Sequence, residues 1–244
     1  MIPVATTVRP LRPPIVTGAI IFICVWAFLV EVGMPQAQLE AFIQQWGLVP
    51  ARHLAAVRQD PFALQAWLYP LVFHMFLHGG WLHLIGNMLY LWVFGGLVEN
   101  RLGHGRFGVF YFLSGIAAAH VQVFFSADST TPMLGASGAI AGVVGAALVL
   151  YPLARVVMLV PVFFYPLFFE IPVLFFAGFW FIEQLVAGTF TTLLAPKNMG
   201  GVAWWAHAGG FLAGILLLPL LLDRKHEGYR PPSYRAPGHY ARYH

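Results

Sequence analysis

The sequence predicts an all-α, polytopic helical membrane protein with six spans. Three observations lead there. Charged residues make up 9% of the 244 residues, against roughly 25% in an ordinary soluble domain. Hydrophobic residues make up 59%, against roughly 45–50%, and the mean hydropathy is +0.75. Uncharged apolar runs recur along the chain, separated by charged or proline-bearing stretches. A soluble globule of this size would lack the polar side chains to cover its surface. A typical cytosolic enzyme, a disordered chain and a coiled coil are excluded. The net charge is +4 and the pI about 9.4. In a membrane protein such an excess orients the chain and does not call for nucleic acid. The single cysteine, Cys24, forms no internal disulfide and no multi-cysteine metal site.

The elements follow in order. Residues 1–14 hold Arg9, Arg12 and four prolines and read as a short, irregular, basic tail. Ile15 to Val30 is an apolar run ending at Glu31. A signal peptide is the rival for it, but no small-residue cleavage site follows directly, so it reads as a retained first span. Met34 to about Gly80 mixes scattered charges with Phe42, Trp46, Trp67 and Tyr69, the pattern of a loop with short helices at the interface. Trp81–Val98, Phe107–Phe125 and Gly135–Tyr151 are the next three spans. Pro161, Pro166, Pro172 and Glu170 break the long run from Val156 to Val186. That places an apolar connection first and the fifth helix from about Glu170 to Val186. Trp204–Leu222 is the sixth span, and residues 223–244 read as a basic, disordered tail. The core is therefore 15–222.

Charge placement agrees with six spans. Arg9, Arg12, Arg101, Arg106, Arg155 and the tail's Arg224, Lys225, Arg230, Arg235 and Arg242 fall on one side. Arg52, Arg58 and Lys197 fall on the other. The positive-inside rule puts both termini in the cytoplasm.

Polar groups in hydrocarbon cost free energy unless paired or wetted. Three clusters need an account. His83 and Asn87 are four apart, on one helix face. Interhelical hydrogen bonding is their ordinary role. Gly135-Ala136-Ser137-Gly138 opens the fourth span and leaves the Ser137 hydroxyl reachable. Gly138, Gly142 and Gly145 allow a neighbouring helix to approach closely. A helix N-terminus also offers unpaired N–H groups to a developing anion. His207, Gly210 and Gly214 form one stripe of the last span. Each cluster taken singly fits helix packing. Together they supply a nucleophile, a base and two donors, the roles of an acyl-transfer site. Glu170 and Glu183 lie on another span with no motif around them, so a Ser–His dyad is the economical reading.

These residues resemble the rhomboid family of intramembrane serine proteases, bacterial type. The resemblance runs from Ile15 to Leu222. It rests on His83-x-x-x-Asn87, Gly135-x-Ser137-Gly138 and Ala206-His207-x-x-Gly210-x-x-x-Gly214, in order on the second, fourth and sixth spans. It implies a six-span rhomboid-like bundle with a water-filled cavity open to the non-cytoplasmic side. It implies Ser137 as nucleophile, His207 as general base and acid, and His83 and Asn87 as oxyanion donors beside the Ser137 N–H. The implied substrates are transmembrane proteins cut in or near their membrane segment, with a small residue before the cut. No cofactor and no metal are implied.

Two positions depart from the family pattern. Many members carry a Tyr four residues after the nucleophile, stacked on the catalytic His; here it is Ala141. Trp204 and Trp205 are the nearest aromatics in sequence to His207. Many members also carry Trp-Arg where this chain has Tyr69-Pro70.

His74, His78 and His83 fall within ten residues, a conceivable zinc set, but no carboxylate stands ready to orient them. Glu99, Arg101 and Arg106 read as an interfacial charge cluster. The Phe-rich stretch 163–176 reads as lipid-facing bulk or a substrate gate. The alternative function is a catalytically inactive rhomboid-like protein that binds membrane clients, against which both Ser137 and His207 are present. A polar-lined transporter is a further rival. Short tails without an import presequence favour a bacterial inner membrane.

Overall fold

A computed structural model describes residues 2–162, 165–194 and 202–222. Lys197 and the tail 223–244 lie outside the described residues. The protein is a helical bundle with a small sheet at one end. Among the described residues, five helices are long and apolar enough to cross a membrane: Ile15–Val32, Trp81–Leu102, His104–Phe125, Val173–Leu194 and Trp204–Leu221. A sixth apolar helix, Ser137–Leu150, is shorter.

The chain opens with β1 (Ile2–Thr6) and α1 (Ile15–Val32). Three short helices follow: α2 (Gln36–Trp46), α3 (Pro50–Gln59) and α4 (Leu64–Phe73). The next span is α5 (Trp81–Tyr90) and α6 (Gly96–Leu102), joined by a π turn at Leu91–Gly95. Then come α7 (His104–Phe125) and α8 (Ser137–Leu150). The hairpin β2 (Arg155–Val162) and β3 (Tyr165–Pro172) leads to α9 (Val173–Leu194) and α10 (Trp204–Leu221).

Helix α8 is the centre of the bundle. Gly138 through Ala147 are all buried, between α7 and α10. Its small residues let backbones touch. A Cβ on Gly210 would collide with the Gly138 carbonyl, and one on Gly214 with the Gly142 carbonyl. A Cβ on Gly142 would lie 2.6 Å from Ser114 Cβ on α7. The pairing of Gly138 with Gly210 and Gly142 with Gly214 makes α8 and α10 run parallel. Small residues at helical spacing carry this close packing, as van der Waals contact replaces the missing hydrophobic drive between helices in lipid. At 14 residues α8 rises about 21 Å, short of a roughly 30 Å hydrocarbon core.

The sheet corrects two expectations. Residues 1–14 are not irregular throughout, because Ile2–Thr6 is a strand. The apolar connection before the fifth helix is a hairpin. The strand order is β1-β2-β3, all antiparallel, with Ile2 opposite Leu159, Val156 opposite Ile171 and Pro161 opposite Pro166. The stretch is apolar on both faces and shows no alternation, so local pattern hides it. β1's partner is some 150 residues away, and pairing at that separation leaves no local trace. The fifth helix accordingly begins at Val173, after Pro172, and Glu170 belongs to β3.

A buried carboxylate holds the first span. Glu99 is 1% exposed and accepts from the backbone N–H groups of Val16 and Thr17 and from Thr17 Oγ1, with His104 Nδ1 2.6 Å away. It thus satisfies orphan donors at the N-terminus of α1. Asn100 Oδ1 accepts from Leu11 and Arg12 N–H just before. The expected interfacial cluster is therefore an interior cap as regards Glu99. Contacts with a helix from elsewhere in the chain decide that, and adjacent charges in sequence do not.

Candidate active site

Ser137 begins α8, and what precedes it sets its position. Gly135 has φ +117°, a conformation that L side chains rarely adopt. Its N–H donates to the His74 carbonyl at 2.9 Å. His74 is itself buried, with Nδ1 3.0 Å from the Pro70 carbonyl. Burial pushes its pKa down to about 4, so the ring is neutral. Leu48 and Met133 exchange backbone hydrogen bonds, tying the approach to Ser137 onto the α2–α3 turn. Arg52 braces that turn by donating to the carbonyls of Gln44, Gln45 and Gly47.

His207 lies in the first turn of α10. Gln122 on α7 positions that turn: its Oε1 accepts from Ala206 N–H at 3.1 Å, and its Nε2 donates to Ser126 Oγ. The parallel packing of α8 against α10 brings the two N-termini side by side. Ser137 Oγ is 2.8 Å from His207 Nε2. The two residues are 70 positions apart in the chain.

His83 and Asn87 come from α5. A Cβ on Gly135 would lie 2.7 Å from His83 Nε2 and 3.4 Å from Asn87 Nδ2. Both side chains therefore close over the glycine two residues before Ser137. Asn87 Nδ2 is buried without a hydrogen-bond acceptor among the described residues. Ser137, His207, His83 and Asn87 all line one cavity of about 960 Å³. Its walls continue through Ser126, Asp128, Thr192 and Trp204. All four residues singled out in the sequence are thus gathered in one place.

The surroundings of His207 were legible in the sequence only through Trp204. Trp180 of α9 lies across its ring, 5.7 Å away at 31°, and Trp204 meets it edge-on at 6.2 Å. Trp205 turns aside, stacked on Phe125 at 3.9 Å and donating to Thr192 Oγ1. Gln184 Oε1 is 2.7 Å from His207 Nδ1. This residue was missed. Its one sequence signal is an amide in an apolar span, four residues after Trp180. Its neighbour Glu183 faces outward, exposed, and Glu170 pairs at 3.8 Å with Arg155 on the sheet. Neither acid reaches the imidazole. Helix phase decides between Glu183 and Gln184, and phase follows from how α9 packs.

His74 and His78 have structural surroundings. Each faces a backbone carbonyl with Nδ1. Among the described residues, no group of three or more potential ligands is placed to hold a metal ion.

A family profile describing a Rhomboid domain matches residues 65–224, well over half of the chain. The chain belongs to the rhomboid family. It is 30% identical over 172 residues to RHOMBOID-like protein 5 of Arabidopsis thaliana, covering 68% of this chain and 48% of that protein. It is 30% identical over 145 residues to Rhomboid protein 1, mitochondrial, of Saccharomyces cerevisiae, covering 58% and 38%. It is 31% identical over 111 residues to Rhomboid protease GlpG of Klebsiella pneumoniae, covering 45% and 35%. This rhomboid spans about half of the first relative's length and little more than a third of the other two. Plant, yeast and bacterial proteins match alike, so the likeness singles out no bacterial branch. Family and apolar helices together make this rhomboid an integral membrane protein.

Proposed function

We propose that this rhomboid is an intramembrane serine endopeptidase. It cuts transmembrane proteins within or near their membrane segment. The carrying observation is the 2.8 Å contact between Ser137 Oγ and His207 Nε2, beside a cavity and among apolar helices. Ser137 Oγ forms a bond to the scissile carbonyl carbon while its proton passes to His207 Nε2. His83, Asn87 and the Ser137 N–H stabilise the oxygen that becomes negative. The C–N bond then breaks, and the same proton goes to the leaving amine. Water hydrolyses the resulting acyl ester, with His207 again taking and returning a proton. Such chemistry needs water at membrane depth. A cavity reaching a helix too short to span the bilayer supplies its path. A helical substrate must unwind locally, because its peptide bonds are already hydrogen-bonded and shielded.

The core is 15–222. The described ends of the chain share one end of the bundle, since β1 pairs with β2 and α10 runs parallel to α8. Arg101, Arg106 and Arg155 lie toward that end too, which supports a cytoplasmic placement for it. A bacterial inner membrane suits this arrangement.

The experiment compares cleavage of a reporter transmembrane substrate in liposomes by the full chain and by Ser137→Ala and His207→Ala. Loss of product in both variants, with intact folding, is the expected result. Cleavage that survives Ser137→Ala overturns the mechanism. Labelling of Ser137 by a serine-directed phosphonate separates an enzyme offered the wrong substrate from a protein that only binds membrane clients.

A further inference from the structure

We infer that Gln184 is a positioning residue for catalysis, a neutral third member that fixes the tautomer of His207. The inference rests on the Ser137–His207 reading and deepens it. Gln184 is 2% exposed, on the buried face of α9. Its Nε2 donates to the Trp180 carbonyl, one turn back, at 2.9 Å. A carbonyl only accepts, so this bond settles which way the amide points. Oε1 is then the atom that faces His207 Nδ1, at 2.7 Å. Oε1 also only accepts, so Nδ1 must carry the proton. A neutral imidazole has one N–H, and Nε2 is left with its lone pair toward Ser137 Oγ at 2.8 Å. The hydroxyl therefore donates to Nε2, the direction that base catalysis requires.

The arrangement also works after proton transfer. The imidazolium keeps Nδ1–H on an amide oxygen, whose dipole stabilises the new charge without a buried carboxylate. An acid at this depth ionises cheaply only with a cation beside it, and the neutral amide avoids that dependence. The ring plane is held separately by Trp180 and Trp204. Ala141, 1% exposed, leaves no large side chain on α8 to do so. Orientation and tautomer thus both depend on α9, through Trp180 and Gln184.

The test uses the full chain in liposomes with Gln184→Met, near in size but without an acceptor, and Gln184→Glu, which keeps one. Gln184→Met is expected to lower kcat about 10- to 100-fold with KM within about twofold. Gln184→Glu is expected to recover most of the rate. It should also shift the acid limb of the pH profile upward by about one unit, because a carboxylate beside the imidazolium favours the protonated form. An unchanged kcat in Gln184→Met overturns the inference. So does equal impairment of both variants with an unmoved acid limb, which marks a packing role. These results are distinct from failure of the dyad itself, which shows as cleavage by Ser137→Ala.

Discussion

Two of the polar sites inside this apolar bundle are built in opposite ways. At the Glu99 end, one carboxylate collects donors from Val16, Thr17 and His104, and both of its oxygens are used. At the Ser137 end, Asn87 Nδ2 is buried without an acceptor among the described residues, and the groups around it face a cavity of about 960 Å³. Both sites bring together residues far apart in sequence. A polar cluster with every atom paired is at its free-energy minimum and resists change. One that keeps donors aimed at a cavity forgoes stability to keep them available to a developing charge. Buried polar groups thus form a rivet at one end and, on the proposed reading, a reaction centre at the other.

The contrast makes predictions that separate activity from stability. The largest effect belongs to the proposed dyad. Ser137→Ala and His207→Ala should each lower cleavage by about 10⁴-fold or more, with thermal unfolding in detergent little changed. Equal loss of activity and of folding would erase the distinction between the two sites. Next comes the proposed oxyanion side. Asn87→Ala should lower kcat by about 10²–10³-fold while the protein stays as stable as before or gains slightly, since an unpaired buried amide is removed. Gly135→Ala should impair cleavage too, because the added Cβ meets His83 Nε2 at 2.7 Å and φ is +117°.

The Glu99 end should respond the other way. Glu99→Ala strands buried N–H groups of α1 and should lower unfolding stability by about 2–4 kcal/mol, read by chemical or thermal denaturation. The fraction that remains folded should cleave at the normal rate. A selective loss of kcat at full stability would show that this end serves the chemistry after all.

The smallest effect is a pH dependence of stability from histidines outside the spans. Burial lowers the pKa of His53, helped by the nearby His120, and takes His74 and His78 down to about 4. A histidine whose pKa falls on folding is protonated first in the unfolded chain. Its contribution is therefore complete above about 6.5 and is lost as pH falls toward the folded value. Stability should decline from pH 7 to pH 5, and His53→Phe should flatten that slope.

Much of this was legible in the residues. Apolar runs and charge placement identify a membrane bundle, because insertion depends on summed hydropathy and on flanking arginines, both local quantities. Spacing within single helices placed His83 with Asn87 on one face and set out the glycines of α8 and α10. The motifs then named Ser137 and His207, and the fold puts them in contact.

Other features depended on partners that local pattern does not encode. The β1-β2-β3 sheet pairs Ile2 with Leu159, and an apolar run without alternation looks the same whether it ends as strand, helix or linker. Glu99 reads as a surface charge until the start of α1 is set against it. The choice of Gln184 over its acidic neighbour Glu183 is a matter of about 100° of helix rotation, fixed by how α9 lies on α10. Composition and periodicity determined that the chain is a polar-seeded helical membrane bundle. Tertiary packing decided which buried polar groups are satisfied and which are left facing a cavity, because the deciding contacts, Glu99 with the start of α1 and His83 and Asn87 with Gly135, join segments distant in sequence.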